Sequence, residues 1–483
     1  MSLKNKIYSG VAWNATGLFI DNGFNYVIKL ILARLLVPKA FGIIGLATIF
    51  MGMIQVLSDL GMSSALIQRK ENDLNQIDYD TAYWAGIVWA LILTAVLSLI
   101  VAPIAASFYN QEILKLIIPV LSIGIILSQL RTVHIVNITR EMDFKRIVIP
   151  RNISNIFAGV VAITMALMGF GVWSLVFDGI AGKLLLVFIY SYVSPWKPRF
   201  RFSKASFKKI FNFGIYTSGT GMFTYLTNNI DYLLIGKLLG AQQLGLYTLG
   251  YNVTYVIRGQ IMRVVNSVFY PVYSKLQDNL VAVKKYYFKV IKYNCVVIYP
   301  IMVGIILLSQ PLVIYGLGEK WIGAIIPMQI MAGAGLIHLL ARSNTVLLRG
   351  LGKPKLELIF SIIKTLGVNV PFIVLGIVYN GITGAAMGLL AAKFIIFFIN
   401  NIILRKVAGI KFTEILSNAG GLFAVTLFAI LFVFIIKNYL VLSLIYLLYL
   451  AIHLIISYAD IKQIIILYRN KKGNKEIIKS YVN

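Results

Sequence analysis

The sequence predicts an all-α polytopic membrane protein: about fourteen transmembrane helices, arranged as two six-helix lobes related by a parallel internal repeat plus two extra C-terminal helices. Three observations predict it. Of 483 residues, 59% are hydrophobic and only 13% charged, with a mean hydropathy of +0.84, far outside the composition of soluble domains. Apolar stretches of about 20 residues or more, the length that crosses a bilayer, follow one another with short connections. Lysine and arginine concentrate in alternate connections, as orientation in a membrane requires.

The first span, about residues 8–36, follows the basic start Lys4 and Lys6. Asn14 and Asp21 interrupt it and no small-residue cleavage site follows, so it reads as a retained span and not a signal peptide. Pro38 separates it from the second span, 41–67; the third and fourth are 80–107 and 112–138. Gly169-Phe170-Gly171 parts the fifth (146–168) from the sixth (170–193). After a basic linker come 207–235 and 240–272, divided at Gly236 to Gly240, then 281–309 and 324–349, divided at Gly316 to Gly318. Asn380-Gly381 breaks 356–379 from 381–404, and 413–436 and 439–467 complete the series.

With the N-terminus inside, the cytoplasmic segments hold 28 of the 45 basic residues. The outer connections hold five: Lys39, Lys115, Lys237, Lys320 and Lys437. Both termini are therefore expected in the cytoplasm. Most of the +28 net charge is explained by orientation, so no nucleic-acid partner is needed. No outer connection exceeds about fifteen residues, which leaves no room for the catalytic loop that a membrane enzyme of polysaccharide assembly carries. One cysteine, Cys295, and three histidines exclude a disulfide framework and a Cys/His metal cluster, and no nucleotide-binding motif is present. Gly350-Leu351-Gly352-Lys353-Pro354 has proline where a phosphate loop needs Ser or Thr.

A repeat underlies the lobes. Arg34-Leu35-Leu36-Val37-Pro38-Lys39-Ala40-Phe41-Gly42 matches Lys237-Leu238-Leu239-Gly240-Ala241-Gln242-Gln243-Leu244-Gly245 at an offset of 203, and the offset also places Asn25 on Asn228. Six spans separate the copies, so each half enters and leaves on the same side, with a substrate site expected between them near the midplane. The domain plan is a lobe over 1–206, a second over 207–410, and spans thirteen and fourteen with a basic tail over 411–483.

The basic-Leu-Leu connections after spans one and seven, Tyr270-Pro271-Val272-Tyr273-Ser274-Lys275-Leu276-Gln277 and Leu348-Arg349-Gly350-Leu351-Gly352-Lys353-Pro354 resemble a known group. It is the polysaccharide-transport branch of the multidrug/oligosaccharidyl-lipid/polysaccharide exporter superfamily, and the resemblance runs through essentially the whole chain. It implies a flippase that carries an undecaprenyl-pyrophosphate-linked oligosaccharide across the membrane by alternating access, for O-antigen, exopolysaccharide or an anionic wall polymer. The partners implied are the lipid-linked oligosaccharide, membrane lipid and the polymerase and assembly machinery, and a monomer is expected. No cofactor is implied; an H⁺ or Na⁺ gradient would drive the cycle. The alternatives are a cation-coupled multidrug antiporter, a lipid II flippase and, from another class, the membrane enzyme already disfavoured.

Twelve basic residues and four acidic ones, Asp21, Asp59, Asp178 and Asp231, fall within spans. A charge at the bilayer centre costs at least about 2.5–3.5 kcal/mol, so those that cannot snorkel must face a wet interior. A pyrophosphate drawn into that interior needs cationic donors in exchange for water. Arg258, Lys393, Lys364 and Arg342, with Arg131, are the expected headgroup contacts. Asn25, Asn228, Tyr251 and Tyr255 would hydrogen-bond and stack on the sugars. Asp21, in one helical stripe with Asn14, Asn25 and Lys29, is the candidate for cation coupling or for an ion pair with Lys29.

Overall fold

The computed structural model describes residues 3–59, 61–68, 74–256, 279–350, 354–436 and 438–470, with isolated positions between 257 and 278. The described residues are helical, with no strand. They divide into two compact units, Met1–Gly245 and Leu246–Asn483.

The first unit opens with α1 (Leu3–Leu35) and α2 (Pro38–Ser58), where Pro38 takes the first helical position after extended Val37. A short α3 (Met62–Gln68) precedes α4 (Gln76–Tyr109), which relaxes into a π-helical stretch over Leu97–Val101. Asn75 and Asp78 form a capping box at the start of α4, the Asp78 carboxylate accepting from Asn75 N–H at 2.9 Å. Then come α5 (Leu114–Arg140), α6 (Lys145–Leu167) and α7 (Val172–Val193), the last two parted at Gly169 and Gly171. Small residues set the closest approaches: Ile28 of α1 fills the space over Gly159 of α6, and Ser154 of α6 donates to the Gly182 carbonyl of α7 at 2.5 Å. The end of α2 is tied down by Gln129 and Trp89, which donate to the carbonyls of Ser58 and Leu57 at 2.7 and 2.9 Å.

The long α8 (Lys204–Tyr251) breaks at Gly240, whose φ of 79° only glycine adopts cheaply. The helix that restarts at Ala241 crosses α2. A Cβ on Gly42 would strike the Ala241 carbonyl, and one on Gly245 would strike the Pro38 carbonyl. Ala241 is Pro38 plus 203 and Gly245 is Gly42 plus 203, so the contact is reciprocal under the offset read from sequence. Two helices that begin at equivalent positions cross glycine to backbone.

The second unit contains α9 (Leu280–Leu317), a 3₁₀ turn (Glu319–Ala324), α10 (Ile325–Gly350), α11 (Pro354–Ile362) with a π-helical stretch over Ile363–Asn369, α12 (Val370–Ala408), α13 (Phe412–Ile435) and α14 (Tyr439–Asn470). Helix α12 reverses at Asn380-Gly381, and its two limbs pack through glycines: Gly384 lies on the Gly376 carbonyl and Gly388 on that of Phe372. Gly384 and Gly388, four residues apart on one helix face, thus serve internal packing. Among the described residues, nine helices are long and apolar enough to cross a membrane, which makes this a multi-pass membrane protein.

Helix α9 is the core of the second unit, and its Pro300 needs help. Proline has no N–H, so the Val296 carbonyl one turn earlier loses its helical donor, a serious loss away from water. His453 of α14 supplies the replacement, its Nε2 lying 3.0 Å from Val296 O. A carbonyl only accepts, so Nε2 carries the hydrogen and Nδ1 accepts from Tyr449 OH at 3.3 Å; Tyr449 OH in turn accepts from Thr426 of α13 at 3.2 Å. Tyr446 OH also donates to Pro300 O at 3.2 Å, lying over Gly304. The last two helices thereby brace the proline of α9. His453→Leu is expected to lower thermal stability by about 1–3 kcal/mol, the cost of an orphaned buried acceptor. Adding Pro300→Ala, which restores an N–H for Val296, should recover part of the loss in detergent melting curves.

Candidate functional site

In the first unit, four helices converge on a polar interior. Asp21 of α1 is the anchor: its carboxylate accepts from Asn25 at 3.0 Å and from Asn155 of α6, and Arg151 Nε of α6 stands 3.6 Å from its other oxygen. Asn25 also donates to the Asp21 carbonyl at 2.9 Å. Asp21 therefore takes Arg151, not Lys29, as its ion-pair partner; Lys29 acts electrostatically on Asp178 of α7.

Arg131 of α5 and Lys183 of α7 lie close enough to repel each other, beside the buried Tyr190, which is within the field of both Arg131 and Arg151. Gly124 makes room for the lysine: a Cβ there would stand 2.8 Å from its ammonium. Tyr190 OH is spent on the Ile147 carbonyl at 2.9 Å, and Arg131 Nε is buried without a hydrogen-bond partner among the described residues. Cations held together with donors to spare suit an oxyanion, which would relieve both the repulsion and the missing bond. Of these, sequence reading picked out Arg131 only. In the span of Lys183 only Tyr190, two turns on, marks the same face, and its cationic neighbour is on another helix.

In the second unit Tyr247, Tyr251 and Tyr255 repeat every four residues and stack as a ladder, with Tyr251 and Tyr255 ring centroids 4.6 Å apart at 17°. Arg258 continues the series, its guanidinium 5.0 Å from the Tyr255 ring, and is only 5% exposed. Its Nη1 lies over Gly335 of α10 beside the Met302 sulfur of α9; a Cβ on Gly335 would stand 2.7 Å from it. The structure thus brings together three predicted residues, Tyr251, Tyr255 and Arg258. Lys364 and Lys393 are half-buried in the same unit; Lys393 donates to Asn369 of the π-helical stretch that also carries Lys364, at 3.3 Å. The side chains of Arg342 and Asn228 lie outside the described residues.

The chain resembles known proteins along most of its length. A family model described as "Polysaccharide biosynthesis protein" matches residues 31–326. The lipopolysaccharide biosynthesis protein WzxC of Escherichia coli K12 is 26% identical over 405 residues, covering 82% of this chain and 80% of that one. The succinoglycan biosynthesis transport protein ExoT of Rhizobium meliloti is 24% identical, covering 64% and 62%. In fold, the chain is similar to the lipid II flippase MurJ in an inward closed conformation, with a TM-score of 0.71 at 15% identity over 93% of this chain and 99% of that one.

Proposed function

The chain belongs to the family of polysaccharide biosynthesis proteins, and from that premise we propose that it is a flippase for an oligosaccharide carried on a prenyl pyrophosphate. In this reading it crosses the bacterial cytoplasmic membrane fourteen times with both termini inside, and delivers repeat units to polymerase and assembly machinery outside. The observation that carries the proposal is the half-buried Arg131, its Nε without a hydrogen-bond partner among the described residues, on the helix whose Gly124 lies against the Lys183 ammonium, with Arg258 buried on an aromatic ladder in the second unit. A drug-cation exporter calls for acidic interiors; among the described residues of the first unit's interior, Lys29, Arg131, Arg151 and Lys183 outnumber Asp21 and Asp178. The pyrophosphate takes the cations, the tyrosine faces take the sugar rings, and the prenyl tail stays in lipid.

Asp21 supplies a route for an ion gradient in the same proposal. A proton on its carboxylate would cancel the ion pair and release Arg151 toward the substrate anion; loss of the proton would call the guanidinium back. Asp21→Asn imitates the protonated state. It is expected to transport at a rate independent of an imposed pH gradient, and retention of the wild-type gradient dependence would exclude Asp21 from coupling.

The test of the function is reconstitution of the purified chain in vesicles with a fluorescent prenyl-pyrophosphate oligosaccharide, with lipid II and a cationic drug as parallel substrates. Translocation of the oligosaccharide above empty vesicles supports the proposal. Drug efflux or lipid II movement without it would replace it.

A further inference from the structure

Between α7 and α8 runs Ser194-Pro195-Trp196-Lys197-Pro198-Arg199-Phe200-Arg201-Phe202-Ser203-Lys204. Two prolines within four residues keep it extended, and from Lys197 it carries cations with two phenylalanines between them. Its backbone is held down. Trp196 is buried, edge-on to Tyr83 at 5.3 Å and to His134 at 5.1 Å. The buried Asp80 of α4 accepts the Arg199 N–H at 3.2 Å, the Thr81 hydroxyl accepts that of Ser203 at 3.0 Å, and Trp84 Nε1 donates to the Arg199 carbonyl at 2.8 Å.

This strap is therefore a built feature lying along the start of α4, with Trp196 turned inward and the side chains from Lys197 to Phe202 turned outward. Phe200 stacks one face on Trp84 at 4.5 Å and is still 90% exposed; Phe202 is 59% exposed. Arg199, Arg201, Lys204 and Lys208 form no ion pair among the described residues. Orientation alone needs only cations in a connection. It requires neither a pinned backbone nor aromatic rings held out between the charges.

We propose that the strap is a docking surface for the anionic phospholipid headgroups of the cytoplasmic leaflet, to which the distribution of basic residues assigns it. The cations meet headgroup phosphates, and Phe200 and Phe202 enter the boundary between headgroups and acyl chains, the depth that suits rings flanked by basic residues. The rigid backbone makes the contact strong by sparing the ordering cost that a loose polybasic loop incurs on binding. The inference is independent of what the protein transports.

The test uses the full chain in vesicles of phosphatidylglycerol and phosphatidylcholine. Spin-labelled phosphatidylglycerol is expected to associate with the protein in preference to spin-labelled phosphatidylcholine. Each neutralised cation should weaken that association about five-fold. In the combined variant Arg199→Gln, Arg201→Gln, Lys204→Gln the preference should approach unity, with helicity unchanged because no side-chain bond of the strap is removed. A nitroxide on Phe200→Cys, in a Cys295→Ala background, should be protected from a water-soluble relaxation agent on anionic vesicles and exposed on neutral ones. An undiminished preference in the combined variant, or a nitroxide equally exposed on both lipids, overturns the proposal. The second result is also the one an acidic protein segment as the natural occupant would produce.

Discussion

Gly42→Val is expected to abolish most translocation while leaving the protein in the membrane and helical. At the crossing of α2 and the second stretch of α8, the space where a Cβ would sit is occupied by the Ala241 carbonyl, and backbone cannot swing aside as a side chain can. Forcing atoms into such a contact costs about 1–3 kcal/mol, a shift of roughly 5- to 150-fold in an equilibrium between closed and parted helices. Gly245→Val should act in the same way, because Pro38 stands against it as Ala241 stands against Gly42. The two substitutions together should cost less than twice either one, since the first already separates the pair. In the proposed orientation and alternating-access cycle this crossing would lie toward the outer side, where helices would part and close. The readout beside transport is a cysteine at Leu46, which is buried below the crossing against Gly236. In a Cys295→Ala background, its labelling by a membrane-impermeant maleimide should rise at least about ten-fold when Gly42 is valine. Labelling unchanged in the variant would show that the crossing does not govern access.

Arg258→Ala is expected to reduce initial translocation by about ten- to a hundred-fold at normal expression, the worth of a charge-assisted hydrogen bond to an anion, about 1.5–3 kcal/mol. The guanidinium is seated between the Tyr255 ring and Gly335, so the position is stable without substrate and presents a fixed charge. Lysine keeps the charge and loses the planar stacking and the fork of donors; Arg258→Lys should therefore recover only part of the rate. Arg131→Gln and Lys183→Gln, measured in the same vesicles, divide the work between the two units. Unchanged transport in Arg258→Ala removes that residue from the site and leaves the first unit's cluster as the anion receptor. Binding of a short-chain prenyl pyrophosphate, followed by intrinsic fluorescence, separates loss of affinity from loss of movement.

Much of the architecture was legible one residue at a time. The turn at Asn380-Gly381, the breaks at Gly169, Gly171 and Gly240, and the helix start at Pro38 are local chemistry, and the structure has each where the sequence expects it. The ladder from Tyr251 to Arg258 was legible too, because residues three and four apart on one helix share a face whatever surrounds them. Pairings between helices were not. Nothing in spacing tells Asp21 to choose Arg151 over Lys29, since Lys29 lies on the same helix and Arg151 is 130 positions away. The same holds for Arg131 with Lys183, and for His453 reaching the carbonyl that Pro300 leaves bare.

By itself the sequence determined the membrane class, and it set the expected orientation and the expected duplication, because these follow from composition, from the cost of burying peptide and charge in lipid, and from a constant offset. Tertiary structure alone decided which charges meet, where the strap is pinned, and that the two repeat-equivalent glycines face each other's backbone. Those depend on which helix faces lie together within a few ångströms. Periodicity names a face, and only packing names its partner.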